Sequence, residues 1–165
     1  MPGELQVALL ADHPDLIPSI TEWLYEEWGQ YYPDGSRRRV EASLLERCQR
    51  DQLPIAMVGF VKGEPIGAAS LKIREMESHP QYEHWLGTVY VRPQFRRRGY
   101  GGQLVGAAEE LARSLGLKVL HLYTRHNENL YANLGWETIE RPLYKQRPAI
   151  IMRKYLSSNQ SENSS

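Results

Sequence analysis

Residues 84–136 constrain the fold more than any other part of the chain, and their pivot is the stretch VYVRPQFRRRGYGGQLV at 89–105. An apolar run, WLGTVYV, is stopped by Pro93, which cannot donate to a strand ladder. Arginines stand at 92, 96, 97 and 98, then glycines at 99, 101 and 102. Leu104, Ala107, Ala108, Leu111, Ala112 and Leu115 then recur at helical spacing until Gly116. The order is therefore strand, glycine turn, helix. A helix starts with four unpaired backbone N–H groups and the positive end of its dipole. Glycines leave those donors open to an anion and permit positive φ. Arginine adds forked donors suited to phosphate. Glycine inside a helix costs up to about 1 kcal/mol, so Gly101 and Gly102 imply a packing or ligand reason. The plainer reading is a flexible turn with a solvated basic face. The spacing is not that of a P-loop, which needs Gly-Lys-Ser/Thr. It also lacks the third glycine of a dinucleotide fingerprint, and a hairpin stands where that fold needs a parallel unit.

The rest of the chain surrounds this junction with a mixed pattern. A strand is predicted over 5–10, then a helix over 12–28 capped by Asp12, with Ile17, Ile20, Leu24 and Trp28 on one stripe. Ser36 caps a second helix whose inner side is Val40, Leu44, Leu45 and Cys48. Two strands, roughly 54–61 and 65–74, flank the turn KGEP. Residues 74–84 form a polar loop. After the glycine-started helix come the strand KVLHLYT, a short helix capped by Asn127 and ended by Gly135, and the strands WETIERP and PAIIMRKYL. This is an α/β order: a mixed twisted sheet of about seven strands flanked by about four helices. A chain of 165 residues suits one domain, placed at 1–156. The tail SSNQSENSS, 157–165, has nothing to bury and is expected to be disordered.

Bulk properties exclude several classes. Twenty basic residues balance twenty acidic ones, which gives no support to a nucleic-acid or membrane partner. Cys48 is the only cysteine, so an intrachain disulfide is impossible. The N-terminus does not read as a signal peptide, and no run approaches the ~20 apolar residues that span a bilayer. A cytoplasmic location is the expectation. His13, His79, His84, His121 and His126 show no metal-ligand spacing, so no metal is expected.

Arg96-Arg97-Arg98-Gly99-Tyr100-Gly101, with VYVRPQFR before it, resembles the signature of the GCN5-related N-acetyltransferase (GNAT) family, Gln/Arg-x-x-Gly-x-Gly/Ala between the fourth strand and third helix. The resemblance covers roughly 5–155 and is strongest over 84–136. It implies an N-acetyltransferase that moves the acetyl group of acetyl-CoA to a primary amine of a small molecule or peptide N-terminus, by direct attack through a tetrahedral intermediate. A non-catalytic acyl-CoA-binding sensor of the same fold is the alternative. By position, backbone N–H groups from Arg97 to Gly102 would hold the pyrophosphate, with Arg96, Arg97 or Arg98 assisting. The strand end Val89, Tyr90 and Val91 would lie along the pantetheine, where Val91 or Tyr90 would supply an oxyanion donor. Asn127 or Asn129 would touch the pantetheine arm. Tyr131, in YANLGW, would protonate the leaving thiolate, although its spacing alone also fits a core residue. A homodimer is common for such folds.

The proton acceptor is less marked. Protein-lysine members of the family carry a glutamate in the fourth strand, and that slot is Trp85 in this chain. Glu83 would share its face if the strand extends that far. Glu77, His84, His121 and water are the other candidates, with His121 equally readable as a packed, hydrogen-bonded ring. Substrate preference should come from Glu26, Glu27, Trp28, Tyr31, Tyr32 and Asp34 and from the loop carboxylates Glu75, Glu77 and Glu83. Carboxylates beside aromatic rings suit a cationic amine, although an ordinary solvated face has the same composition.

Overall fold

Apolar runs in the first half of the chain build one side of a sheet, and the junction at 89–105 turns the chain onto its opposite face. The computed structural model describes residues 3–31 and 36–156. In chain order the elements are β1 (Leu5–Leu9), α1 (Ile17–Trp28), α2 (Arg37–Glu46), β2 (Ile55–Val61), β3 (Glu64–Lys72), β4 (Trp85–Val91), α3 (Tyr100–Ser114), β5 (Val119–Thr124), α4 (Glu128–Asn133), β6 (Glu137–Glu140), β7 (Leu143–Tyr144), β8 (Arg147–Pro148) and β9 (Ile150–Tyr155). Seven strands form one mixed sheet in the order β1-β2-β3-β4-β5-β9-β6. Only β4 and β5 pair in parallel; the other neighbours are antiparallel.

The two faces are covered differently. Leu104, Val105, Ala108 and Ala112 of α3 pack on Met57, Ala69, Leu71, Leu86, Leu120 and Leu122. Ile17, Ile20 and Leu24 of α1, with Val40 and Leu44 of α2, cover Ala56, Val58, Ala68 and Tyr90 on the other side. Both stripes follow the 3.6-residue period. No helix among the described residues is long and apolar enough to cross a membrane.

Several local expectations are corrected. Asp12 does not cap α1; it ends a 3-10 turn and pairs with Arg50 instead. Pro14 holds the preceding His13 out of the helical region, at φ −139° and ψ 53°, so the chain makes two 3-10 turns before α1 begins. Ser36 and Asn127 occupy N-cap positions, but neither side chain makes the capping bond. Leu45 is exposed, because the stripe of α2 continues from Leu44 to Arg47. The strand pair β7–β8 is an addition to the expected elements. Its turn, Lys145 and Gln146, takes positive φ at both residues without glycine. Tyr32, Asp34 and the tail 157–165 lie outside the described residues.

Candidate active site

The glycine turn leaves its backbone N–H groups open. Arg97 and Gly99 are left-handed, at φ 65° and 85°, with Arg98 between them at negative φ. Alternation of this kind aims successive N–H groups into one concavity. Among the described residues, no N–H from Arg97 to Gly102 has a main-chain partner. Side chains do not fill the space either. A Cβ on Gly99 would meet nothing within 4 Å, and one on Gly101 would meet only Val91 Cγ2 at 3.9 Å. Tyr100 turns inward and donates its hydroxyl to the Gly3 carbonyl at 2.7 Å, leaving only its N–H at the turn. The arginines divide the work. Arg92 donates to Glu64 and to the Pro65 carbonyl, and Arg96 donates to the Val91 carbonyl (2.6 Å) and Glu27 (3.1 Å). Arg97 and Arg98 point outward, Arg98 over the Phe95 ring.

The sheet opens beside this turn. β4 and β5 share one rung, Trp85 with His121, at the start of β4. The Arg92 N–H donates to Ile66, so antiparallel alternation turns the Tyr90 N–H toward β3 and the Val91 N–H toward the opening. A bulge sits just before them, where two residues of β4, Thr88 and Val89, oppose Ala69 alone and Thr88 takes φ 53°. Arg47, buried at the end of α2, braces that bulge through Thr88 Oγ1 (3.2 Å) and Ser70 Oγ (3.0 Å). Sequence reasoning passed over Arg47. Its place at i+3 from Leu44 and i+7 from Val40 on the apolar stripe was the available signal.

Tyr131 of α4 packs into the core beneath α3, edge-on to Trp136 with centroids 6.3 Å apart. Burial pushes its hydroxyl pKa up to about 12. The buried side-chain atoms without a hydrogen-bond partner, among the described residues, are Thr21 Oγ1 and Arg153 Nε. The Tyr131 oxygen is not sealed in this way and reaches open space. Asn127 precedes α4; its N–H donates to Thr124 Oγ1 at 3.1 Å and its side chain is exposed. Asn129 is exposed as well.

The candidate bases separate clearly. Strand β4 starts at Trp85, and His84 at φ 69° breaks the extended run before it, so the alternation that would put Glu83 on the strand face is absent. The Glu83 carboxylate is half exposed and pairs with Arg74 at 2.9 Å. His121 is the packed ring: buried, stacked on Tyr82 at 4.9 Å, with Nδ1 bonded to the Glu83 carbonyl at 3.0 Å. Desolvation holds its pKa below the ordinary histidine value, against the pull of that bond. Glu77 is exposed and His84 is half-buried. On the α1 side, Trp23 stacks on Tyr90 and Trp28 meets the same ring edge-on, both at 5.9 Å. Among the described residues, no three His, Cys, Asp or Glu side chains are grouped to hold a metal ion.

This chain belongs to the GNAT acetyltransferase family: the family model described as "Acetyltransferase (GNAT) family" matches residues 17–136. It is 25% identical over 118 residues to the uncharacterized N-acetyltransferase YhfO of Bacillus subtilis (strain 168), a match covering 69% of this chain and 79% of that one. Its fold is shared with an aminoglycoside 6'-N-acetyltransferase complexed with coenzyme A (TM-score 0.73, 18% identity, 93% of this chain and 98% of that chain). Ard1 from Thermoplasma volcanium gives a TM-score of 0.71 at 19% identity, over 93% of this chain and 99% of the other. YncA of Salmonella typhimurium, solved with its cofactor acetyl-CoA, gives 0.65 at 18% identity over 95% and 96%.

Proposed function

We propose that this chain transfers the acetyl group of acetyl-CoA to a primary amine of a small molecule or a peptide N-terminus. The observation carrying this is the cradle of unpaired N–H groups at 97–102, opening beside a split sheet edge and walled by glycine. Those residues fit a linked pair of phosphates: the N–H donors are open, no Cβ intrudes, and Arg97 and Arg98 are exposed at the rim for further oxygens. YncA and the aminoglycoside enzyme, described with acetyl-CoA and coenzyme A, support the same reading.

When bound, acetyl-CoA supplies a thioester carbon open to attack. Of the two expected oxyanion donors, Val91 has its N–H on the side of the opening and would hold the carbonyl oxygen and meet the charge that grows there, whereas the Tyr90 N–H is turned to β3. Asn127 borders the pantetheine arm. Tyr131 gives its proton to the leaving sulfur; its elevated pKa keeps that proton in place at neutral pH. Arg96 braces the end of β4 from the side of Glu27. Glu83 accepts the amine's proton through water. Glu83→Gln should slow the reaction chiefly at low pH, where the amine arrives protonated. A pH–rate profile identical to that of the unaltered protein would assign the proton to water alone.

The direct test is thiol release from acetyl-CoA against a panel of amines, paired with a coenzyme titration. Release with at least one amine supports transfer. Tight coenzyme binding with silence across small amines and peptide N-termini would favour a sensor, and absence of binding would end both readings.

A further inference from the structure

The slot that would hold a strand-four carboxylate is closed. Trp85 is fully buried and donates its Nε1–H to the Tyr82 carbonyl at 2.9 Å. A different carboxylate lies on the same strand, two residues onward. Glu75 folds back from the segment after β3 until its Oε2 rests on Gly87, so closely that a Cβ on Gly87 would overlap it. That Cβ would also lie 3.6 Å from Cε of Lys72. Gly87 stands just past the single rung that β4 shares with β5, where the sheet begins to open. The glycine is therefore what admits the carboxylate to the strand.

Glu75 is held in this place. Met76, the next residue, is buried against Trp85 and Ile151 and anchors the loop. Lys72 Nζ bonds Glu75 at 3.0 and 3.1 Å, and both side chains are only 18% exposed. Aromatic rings close the surroundings. Tyr123 of β5 and Tyr144 of β7 pack with Met76 and Trp85 and meet edge-on at 5.3 Å. Arg125 secures β7–β8 by donating to the carbonyls of Tyr144, Arg147 and Pro148. A half-buried carboxylate among tyrosine rings suits an amine that arrives as a cation. This pair lies on the α1–α2 face, whereas Tyr131 lies on the α3 face, so reactants would meet through the opening from opposite sides.

We propose that Glu75, laid over Gly87 and held by Lys72, is the group that receives the acceptor's amine. This rests on the transfer reading above and restricts its acceptor to amines that enter as cations. Lys72 has a second effect. Desolvation already pulls its own pKa below the usual lysine value. An amine brought beside it meets the same dry surroundings and a like charge, which lower its pKa, and the Glu75 carboxylate, which raises it and holds the cation.

The test needs no knowledge of the natural acceptor. In Glu75→Lys, the new amine ends about where a bound acceptor's amine would sit. Incubated with acetyl-CoA, the side-chain nitrogen introduced by Glu75→Lys should attack the thioester carbon. The C–N bond forms, the C–S bond breaks, and coenzyme A leaves as the thiol, taking the proton the amine gives up. Peptide mass spectrometry should find one added acetyl group at position 75, and none on the exposed lysines Lys62 and Lys118 of the same protein. If Glu75→Lys does not fold, Glu75→Cys in a Cys48→Ser background can be converted with 2-bromoethylamine to a lysine analogue after folding. Glu75→Gln should retain acetyl-CoA affinity within about twofold, since the residue touches the acceptor alone. An unmodified amine at 75 in protein that binds acetyl-CoA normally overturns the proposal. Acetyl on Lys62 or Lys118 to the same extent as at 75 overturns it too, as unselective labelling. Failure of the unaltered protein to bind acetyl-CoA would instead remove the transfer reading on which it rests.

Discussion

Burial pushes the Tyr131 phenol pKa up to about 12, which under the proposed transfer keeps it a proton donor across the working range. Tyr131→Phe removes that donor and almost no volume. Turnover should fall about a hundredfold or more while acetyl-CoA affinity holds, because proton transfer is the interaction lost. Steady-state rates with a coenzyme titration check this; equal turnover removes Tyr131 from the chemistry. The same burial has a consequence for stability. A phenol whose folded pKa lies above its unfolded value near 10 stabilises the fold below pH ~10, and that contribution is lost as pH rises toward ~12. Denaturant melts between about pH 9 and about pH 11.5 should show declining stability, and Tyr131→Phe should lessen the slope. At this scale the sequence was readable where a residue sits in a motif, as with Gly99. Glu75 was visible only as one of several loop acids, because its placement depends on Met76 anchoring a loop with no periodicity.

At the scale of elements, the turn at 96–102 and α3 were legible, because each local signal agreed: Pro93, the glycines, then an apolar stripe to Gly116. The misses came where one local device overrode the pattern. Pro14 delayed α1 past Asp12. His84, at positive φ, ended β4 before Glu83 and left that carboxylate to Arg74. Lys145 and Gln146 turned β7 into β8 without the glycine or asparagine that usually marks such a turn. The strength of the 96–102 turn lies in separating folding from binding. Gly101 has room for a side chain as far as the protein is concerned, since a Cβ there would find its nearest neighbour 3.9 Å away. Gly101→Leu should therefore melt within a few degrees of the unaltered protein, and differ from it in coenzyme affinity.

Across the whole molecule, the sheet keeps two tasks apart. α3 and α4 cover the face that carries the glycine turn and Tyr131, and α1 and α2 cover the face that carries Arg47, Lys72 and Glu75. The opening between β4 and β5 is the passage that joins them. The mixed sheet of seven strands with helices on its faces was readable from the order of apolar periods. The bulge at Thr88 was not: the Arg47 side chain that braces it comes from forty-one residues earlier in the chain. All of the chemistry argued above depends on the amides of residues 97–102 gripping linked phosphates. Calorimetric titration of coenzyme A into the unaltered protein and Gly101→Leu measures that grip most directly. Saturable binding by the first, weakened about a hundredfold or more in the folded variant, is the expected result. Equal affinity in the two proteins would contradict it.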